Sequence, residues 1–136
     1  FEAFKKYQLE PDENVDFSHE FSLLEKVFEG VHLLGDYSNK IKDRVLAQGE
    51  MMSVKMLANL LQKESIDVNF VDSRNLIKTD DTFGEAIPIN ELSKENVIRY
   101  FKKNKDKVNI ITGFIASNLD GETTTLGRNG SNYSAS

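Results

Sequence analysis

Arg128 stands in the stretch TTTLGRNGSNYSAS (residues 123–136), between glycines at 127 and 130. Residues 123–126 read as a strand, the glycines as a loop, and Ser131 as the cap of a helix. That order turns backbone N–H groups toward an anion, and a guanidinium fork beside them could grip a carboxylate or phosphate. Arg128 could equally decorate a turn. Glu50 follows Gly49 just where the apolar run MMSVKMLANLL (51–61) begins. A carboxylate there favours the positive end of a helix whether or not anything binds. Thr79, Asp80, Asp81 and Thr82 precede Phe83 and Gly84, a composition that reads as side chains bonding their own turn. His19 and His32 have no second ligand at a metal spacing, so they read as surface histidines and no metal site is expected.

The elements that would hold these residues alternate in period. Phe17, Phe21, Leu24, Val27, Phe28, Val31 and Leu34 recur at three- and four-residue steps, which predicts a helix ending near Gly35 with that stripe in the core. A second helix is predicted from Ser38, with Ile41 and Val45 inward and an interruption at Gly49. Residues 51–61 are apolar on most sides, predicting a buried helix with its methionines as packing. IDVNFVD (66–72) alternates as a strand, and VNIITGFIA (108–116) reads as one central strand covered on both faces. Between them Ser93 is expected to cap a helix bearing Val97, Ile98 and Phe101. SNLDGET (117–123) carries the Asp-Gly signal of a hairpin turn. Alternating helices and strands imply parallel pairing and a layered α/β fold.

Composition removes several classes of function. The 136 residues suit one domain, with 39% apolar and 29% charged residues, the balance of a soluble globular protein. A formal net charge of -5 offers no basic stripe for nucleic acid. The one basic cluster, Lys102, Lys103, Lys105 and Lys107, falls at a predicted helix end, where it complements the macrodipole. No cysteine is present, so disulfides, thiolate metal sites and cysteine nucleophiles are excluded together. No apolar run reaches membrane-spanning length and no secretory leader opens the chain, so the expected partners include no membrane and the expected compartment is the cytoplasm. The chain opens at Phe1 inside the helical pattern FEAFKKYQLE and stops within a helix only a few residues long. So short a helix is unstable alone, and the protein is expected to continue on both sides.

Three blocks, GEMMS (49–53), VDSRNLIKTDDTFGEA (71–86) and GFIASNLDGETTTLGRNGSNYSAS (113–136), together resemble the aspartate kinases of the amino acid kinase family, in the family's order. The TTTLGR-x-GS box is the most specific of them. More narrowly, GVHLLGDYSNKIKDRVLAQGEMMS (30–53) and GRNGSNYSAS are similar to the kinase region of bifunctional aspartate kinase–homoserine dehydrogenases. The resemblance implies a three-layer α/β/α fold with a mostly parallel sheet, incomplete at both ends. Residues 1–136 would be the central part of the N-terminal, aspartate-binding half of the catalytic domain. It also implies transfer of a phosphoryl group from ATP with Mg2+ to the side-chain carboxylate of L-aspartate, in a protein expected to be a homo-oligomer at full length.

By position, Glu50 matches the family's glutamate that pairs with the substrate ammonium, and Arg128 the arginine that grips its α-carboxylate. A zwitterion needs one anion and one forked cation held apart, leaving the reactive carboxylate free. Phe114 matches a wall of the aspartate pocket, Gly113 would let backbone approach the ligand, and Gly130 with Ser131 would cradle the transferring oxygens. The family's KFGGTS strand would lie before Phe1 and its adenine and ribose contacts beyond Ser136. Asn132 replaces the family's usual aspartate. An amide can position the catalytic lysine but cannot act as a base. That substitution keeps open a non-catalytic amino-acid-binding or regulatory module of the same fold.

Overall fold

The structure, a computed structural model, describes residues 15–135. The helical pattern expected at 1–10 lies outside the described residues. In chain order the elements are α1 (Ser18–Leu34), α2 (Asn39–Lys63), β1 (Val68–Val71), a 3-10 turn (Ser73–Asn75), α3 (Asn90–Lys103), β2 (Val108–Ile111), β3 (Ile115–Ser117), β4 (Thr123–Thr125) and α4 (Gly130–Ala135). β1 and β2 pair in parallel from Val68 opposite Val108 to Val71 opposite Ile111. β3 and β4 form the hairpin that Asp120-Gly121 signals, with Ser117 opposite Thr123. Gly121 takes φ 79 in its turn, a conformation that costs glycine nothing. A parallel bridge between Lys78 and Ser117 joins the returning chain to β3.

Layering follows from side-chain alternation along β3. Ile115 and Ala116 are both wholly buried, and neighbours on a strand point to opposite faces. Ile115 packs with Ala47 and Met51 of α2. Ala116 packs with Val71, Leu76 and Ile77, against which Val97 and Tyr100 of α3 lie. α2 therefore covers one face of the hairpin, and the segment 71–77 backed by α3 covers the other, the α/β arrangement expected. The loop 79–86 is held as its composition predicts: the Asp80 carboxylate accepts from the N–H groups of Thr82 (3.2 Å) and Ile87 (2.9 Å) and from the Thr82 hydroxyl (2.8 Å).

Five sequence expectations give way here. The apolar stripe of α1 is not core: Phe21 is 60% exposed, Phe28 53% and Leu34 78%. Its buried residue is instead Glu20, whose Oε1 accepts from Lys55 Nζ of α2 at 2.6 Å. An amphipathic stripe is buried only where a second layer meets it, and α1 packs chiefly on α2. Gly49 does not interrupt α2, which runs unbroken from its Ser38 cap; one glycine in twenty-five helical residues costs too little to break a packed helix. Only one face of the 51–61 stretch is buried, through Met51, Val54 and Ala58, while Leu57 is exposed. Ser93 does not cap α3, which begins a turn earlier; it is buried, and its Oγ accepts from Lys78 N–H at 3.0 Å.

Residues 108–116 are not one central strand: the ladder with β1 ends at Thr112, whose N–H donates to Val71 O at 3.0 Å. The chain then turns at Phe114, with φ 66, before β3 begins. Ile115 N–H donates back to Gly113 O at 2.6 Å, closing a three-residue turn with positive φ at its centre. Apolarity alone could not show that break, because both halves of the run are apolar.

Candidate functional site

α2 carries Glu50 well inside the helix, so the reading of Glu50 as a helix-start carboxylate falls. Its Oε1 accepts from Gly113 N–H at 2.6 Å. The turn at Phe114 creates that donor, because Gly113 lies between β2 and β3 and its N–H faces α2 instead of a ladder partner. A carboxylate has two oxygens and roughly four acceptor positions. Glu50 thus arrives oriented, with acceptor capacity beyond the one bond to Gly113.

Gly113 also meets α4. A Cβ on it would lie 3.0 Å from Ser131 Oγ and 3.2 Å from Ser131 Cα, so only glycine leaves the strand break and the start of α4 this close. Gly130 is equally confined, since a Cβ there would fall 2.8 Å from Leu126 Cβ and 3.2 Å from Phe114 Cδ2. Phe114 in turn packs against the buried cluster of Ala47, Met51 and Ile115, and its carbonyl accepts from Leu126 N–H at 2.9 Å. Residues far apart in sequence, Glu50, Gly113, Phe114, Gly130 and Ser131, therefore form one contiguous group.

Arg128 and Asn132 flank that group. Arg128 is exposed in the turn between β4 and α4, and among the described residues its guanidinium has no hydrogen bond or ion pair. Asn129 beside it takes φ 64, so this turn has a left-handed residue next to the arginine. Asn132 is exposed on α4. Ser131 does not cap the helix: α4 begins at Gly130, and Ser131 is its second residue. Gly127 has φ 69 and faces Glu85, whose Cγ would be 3.3 Å from an added Cβ. His19 and His32 are exposed.

A cavity of about 390 Å³ adjoins Gly113 and Ser131, lined also by Val97, Phe101, Asn109 and Ile111. Neither Glu50 nor Arg128 lines it. No charged side chain lines it, and a zwitterion buried there would lack charged partners, so the group around Glu50 remains the better site.

One residue that binds this region together went unread in the sequence. Asp43 is wholly buried on α2 and accepts three hydrogen bonds from the 84–125 region. The signal was there: Asp43, Ala47, Met51, Val54 and Ala58 share the helix's buried stripe, and a carboxylate on such a stripe needs partners.

Comparison with known proteins places the chain. A sequence model described as the Amino acid kinase family matches residues 3–136. The bifunctional aspartokinase/homoserine dehydrogenase of Buchnera aphidicola subsp. Acyrthosiphon pisum is 33% identical over 118 residues, covering 85% of this chain and 14% of that protein. The lysine-sensitive aspartokinase 3 of Escherichia coli is 30% identical over 118 residues, covering 82% of this chain and 26% of that protein. The crystal structure of E. coli aspartokinase III in complex with aspartate and ADP superposes with a TM-score of 0.70, at 30% identity, over 82% of this chain and 26% of that one. The chain thus spans between about a seventh and a quarter of the length of these relatives. With a family match over nearly its whole length and the same fold in a solved aspartokinase, the chain belongs to the amino acid kinase family.

Proposed function

We propose that this chain is the amino-acid-binding part of an aspartate kinase catalytic domain. In this reading the protein that carries it transfers the γ-phosphoryl group of ATP to the side-chain carboxylate of L-aspartate. The product is 4-phospho-L-aspartate, from which lysine, threonine and methionine are made. The observation that carries the reading is the Glu50–Gly113 bond of 2.6 Å. It sets a mid-helix carboxylate at the strand break beside Ser131, three residues after Arg128. Support also comes from the relatives named as aspartokinases and from the neighbour solved with aspartate and ADP.

In this reading Glu50 accepts from the substrate ammonium and Arg128 forks onto the α-carboxylate. Phe114 walls the pocket, and the closeness of Gly113 lets substrate lie against backbone. Gly130 and Ser131 present N–H groups and a hydroxyl toward the transferring oxygens. Asn132 acts by position. ATP supplies the phosphoryl group when bound, chiefly through residues outside these 136. Among the described residues no group of three His, Cys, Asp or Glu could hold a metal ion, so no step is assigned to Mg2+ here. No described helix is long and apolar enough to cross a membrane.

The test is aspartate-dependent ATP turnover by the full-length protein, with the acyl phosphate trapped by hydroxylamine. L-aspartate should support turnover and N-acetyl-aspartate should not, because the acylated nitrogen cannot pair with Glu50. Arg128→Lys should raise the KM for aspartate by a factor equivalent to about 1.5–3 kcal/mol, since a point charge replaces a two-pronged grip. An unchanged KM would remove Arg128 from the site. Asn132 favours a second reading, a non-catalytic amino-acid-binding module; aspartate binding with no ATP turnover would establish it.

A further inference from the structure

We propose that Asp43 is a positioning residue: it fixes the distance between the helix that carries Glu50 and the strand whose exit turn carries Arg128. The inference rests on the site reading above. Asp43 lies two turns before Glu50 on the buried side of α2, and neighbours seven apart share a helix face. Its Oδ2 accepts from Gly84 N–H at 2.8 Å and Thr125 N–H at 3.0 Å. Its Oδ1 accepts from the Thr125 hydroxyl at 2.7 Å. Thr125 ends β4, three residues before Arg128. Gly84, with φ 94, belongs to the loop that closes over β4 through Ala86 N–H to Thr125 O at 2.8 Å.

One buried carboxylate thus joins α2, β4 and the 79–86 loop at a single point. Apolar contacts between α2 and the hairpin can slide, whereas hydrogen bonds weaken steeply with distance and angle. Asp43 therefore sets register and separation where Ala47 and Met51 supply only burial. A ligand held by Glu50 at one end and Arg128 at the other is sensitive to that separation, because displacement by about 1 Å can cost on the order of a hundredfold.

The clasp makes a chemical prediction of its own. In Asp43→Asn the amide oxygen can take the place of Oδ2 and accept both N–H groups. Its NH2 group then donates to Thr125 Oγ1, whose hydrogen turns to Gly84 O, already 3.3 Å away. All three links survive without the charge. In Asp43→Ala none does, and the buried Thr125 N–H and the half-buried Gly84 N–H lose their partner.

Two measurements on the full-length protein test this. The first compares KM values for aspartate and for ATP. Asp43→Ala should raise the first by about tenfold or more and leave the second within about twofold, while Asp43→Asn should stay near wild type. Thr125→Val, which removes only the hydroxyl link, should show the same split to a lesser degree and serves if Asp43→Ala does not fold. An unchanged KM for aspartate in a folded Asp43→Ala or Thr125→Val protein overturns the proposal, as does an Asp43→Asn protein as impaired as Asp43→Ala. The second measurement does not depend on the reaction. This stretch holds no native cysteine, so spin labels at Gly49→Cys and Asn132→Cys report the α2–α4 distance once any cysteine elsewhere is replaced. Asp43→Ala or Thr125→Val should shift and broaden that distance while Asp43→Asn preserves it; an unchanged distribution in the first two overturns the clasp. If wild-type protein phosphorylates no aspartate, the functional reading fails, and the label distances still decide whether Asp43 fixes the geometry.

Discussion

Phe114 holds a positive φ that a bulky side chain rarely adopts, at a cost of order 1–3 kcal/mol. Surrounding contacts impose it: its ring packs on the α2 cluster and its carbonyl binds Leu126. The strained turn presents Gly113 N–H to Glu50, so strain and site coincide in one residue pair. Gly113→Ala should expose how tight this is. The new Cβ would press on Ser131 at 3.0–3.2 Å, including its backbone Cα, which cannot swing aside. The expected outcome is a loss of about 1–3 kcal/mol in urea unfolding of the full-length protein, with a raised KM for aspartate as α4 is pushed away from Glu50. A variant of unchanged stability and KM would show that the close approach is not needed.

α2 organises the molecule, since it packs on α1 and reaches all four strands. Gly49 is the weak point in its sequence and is exposed, with no atom within 4 Å of a Cβ placed on it. Gly49→Ala should therefore stabilise the protein by about 0.5–1 kcal/mol, read as a raised urea midpoint. A fall instead would mean that the helix needs to break there. The 79–86 loop carries a pH dependence of known sign. The Ile87 N–H bond to the Asp80 carboxylate, helped by Thr82, holds its pKa below the ordinary 3.8. The unfolded chain then binds the proton first as pH falls. The stabilisation is complete above 3.8 and is lost as pH drops through the lower folded value. Asp80→Asn should destabilise at neutral pH, and the gap to wild type should close in unfolding curves measured below pH 3.8.

The molecule as described buries one side of α2 well and leaves α1 poorly covered. Phe21, Phe28, Leu33 and Leu34 all stand exposed along or near one helix. Exposed apolar side chains in this number favour association. The 136 residues expressed alone should self-associate in sedimentation, and Leu33→Glu combined with Leu34→Glu should shift them toward monomer. They should also show no aspartate-dependent ATP turnover, because the proposed reading places the catalytic lysine and the nucleotide contacts elsewhere; turnover above background would refute that division of labour.

Local chemistry was legible in the order of residues. Ser38 capping a helix, Gly35 ending one, Asp120-Gly121 turning a hairpin and Asp80 bonding its own loop all depend on neighbours a few positions apart. The motif blocks likewise singled out Glu50, Gly113, Phe114, Arg128, Gly130, Ser131 and Asn132 as candidates. Tertiary structure alone decided what depends on distant partners. Whether the α1 stripe is core turns on which layer meets it, and the break at Phe114 turns on the competing demands of β1, α2 and β4 on one apolar run. It also decided that Glu50 lies inside a helix, bonded to Gly113, and that Asp43 ties that helix to Thr125. Periodicity reports which face of an element is apolar; only packing determines what that face touches.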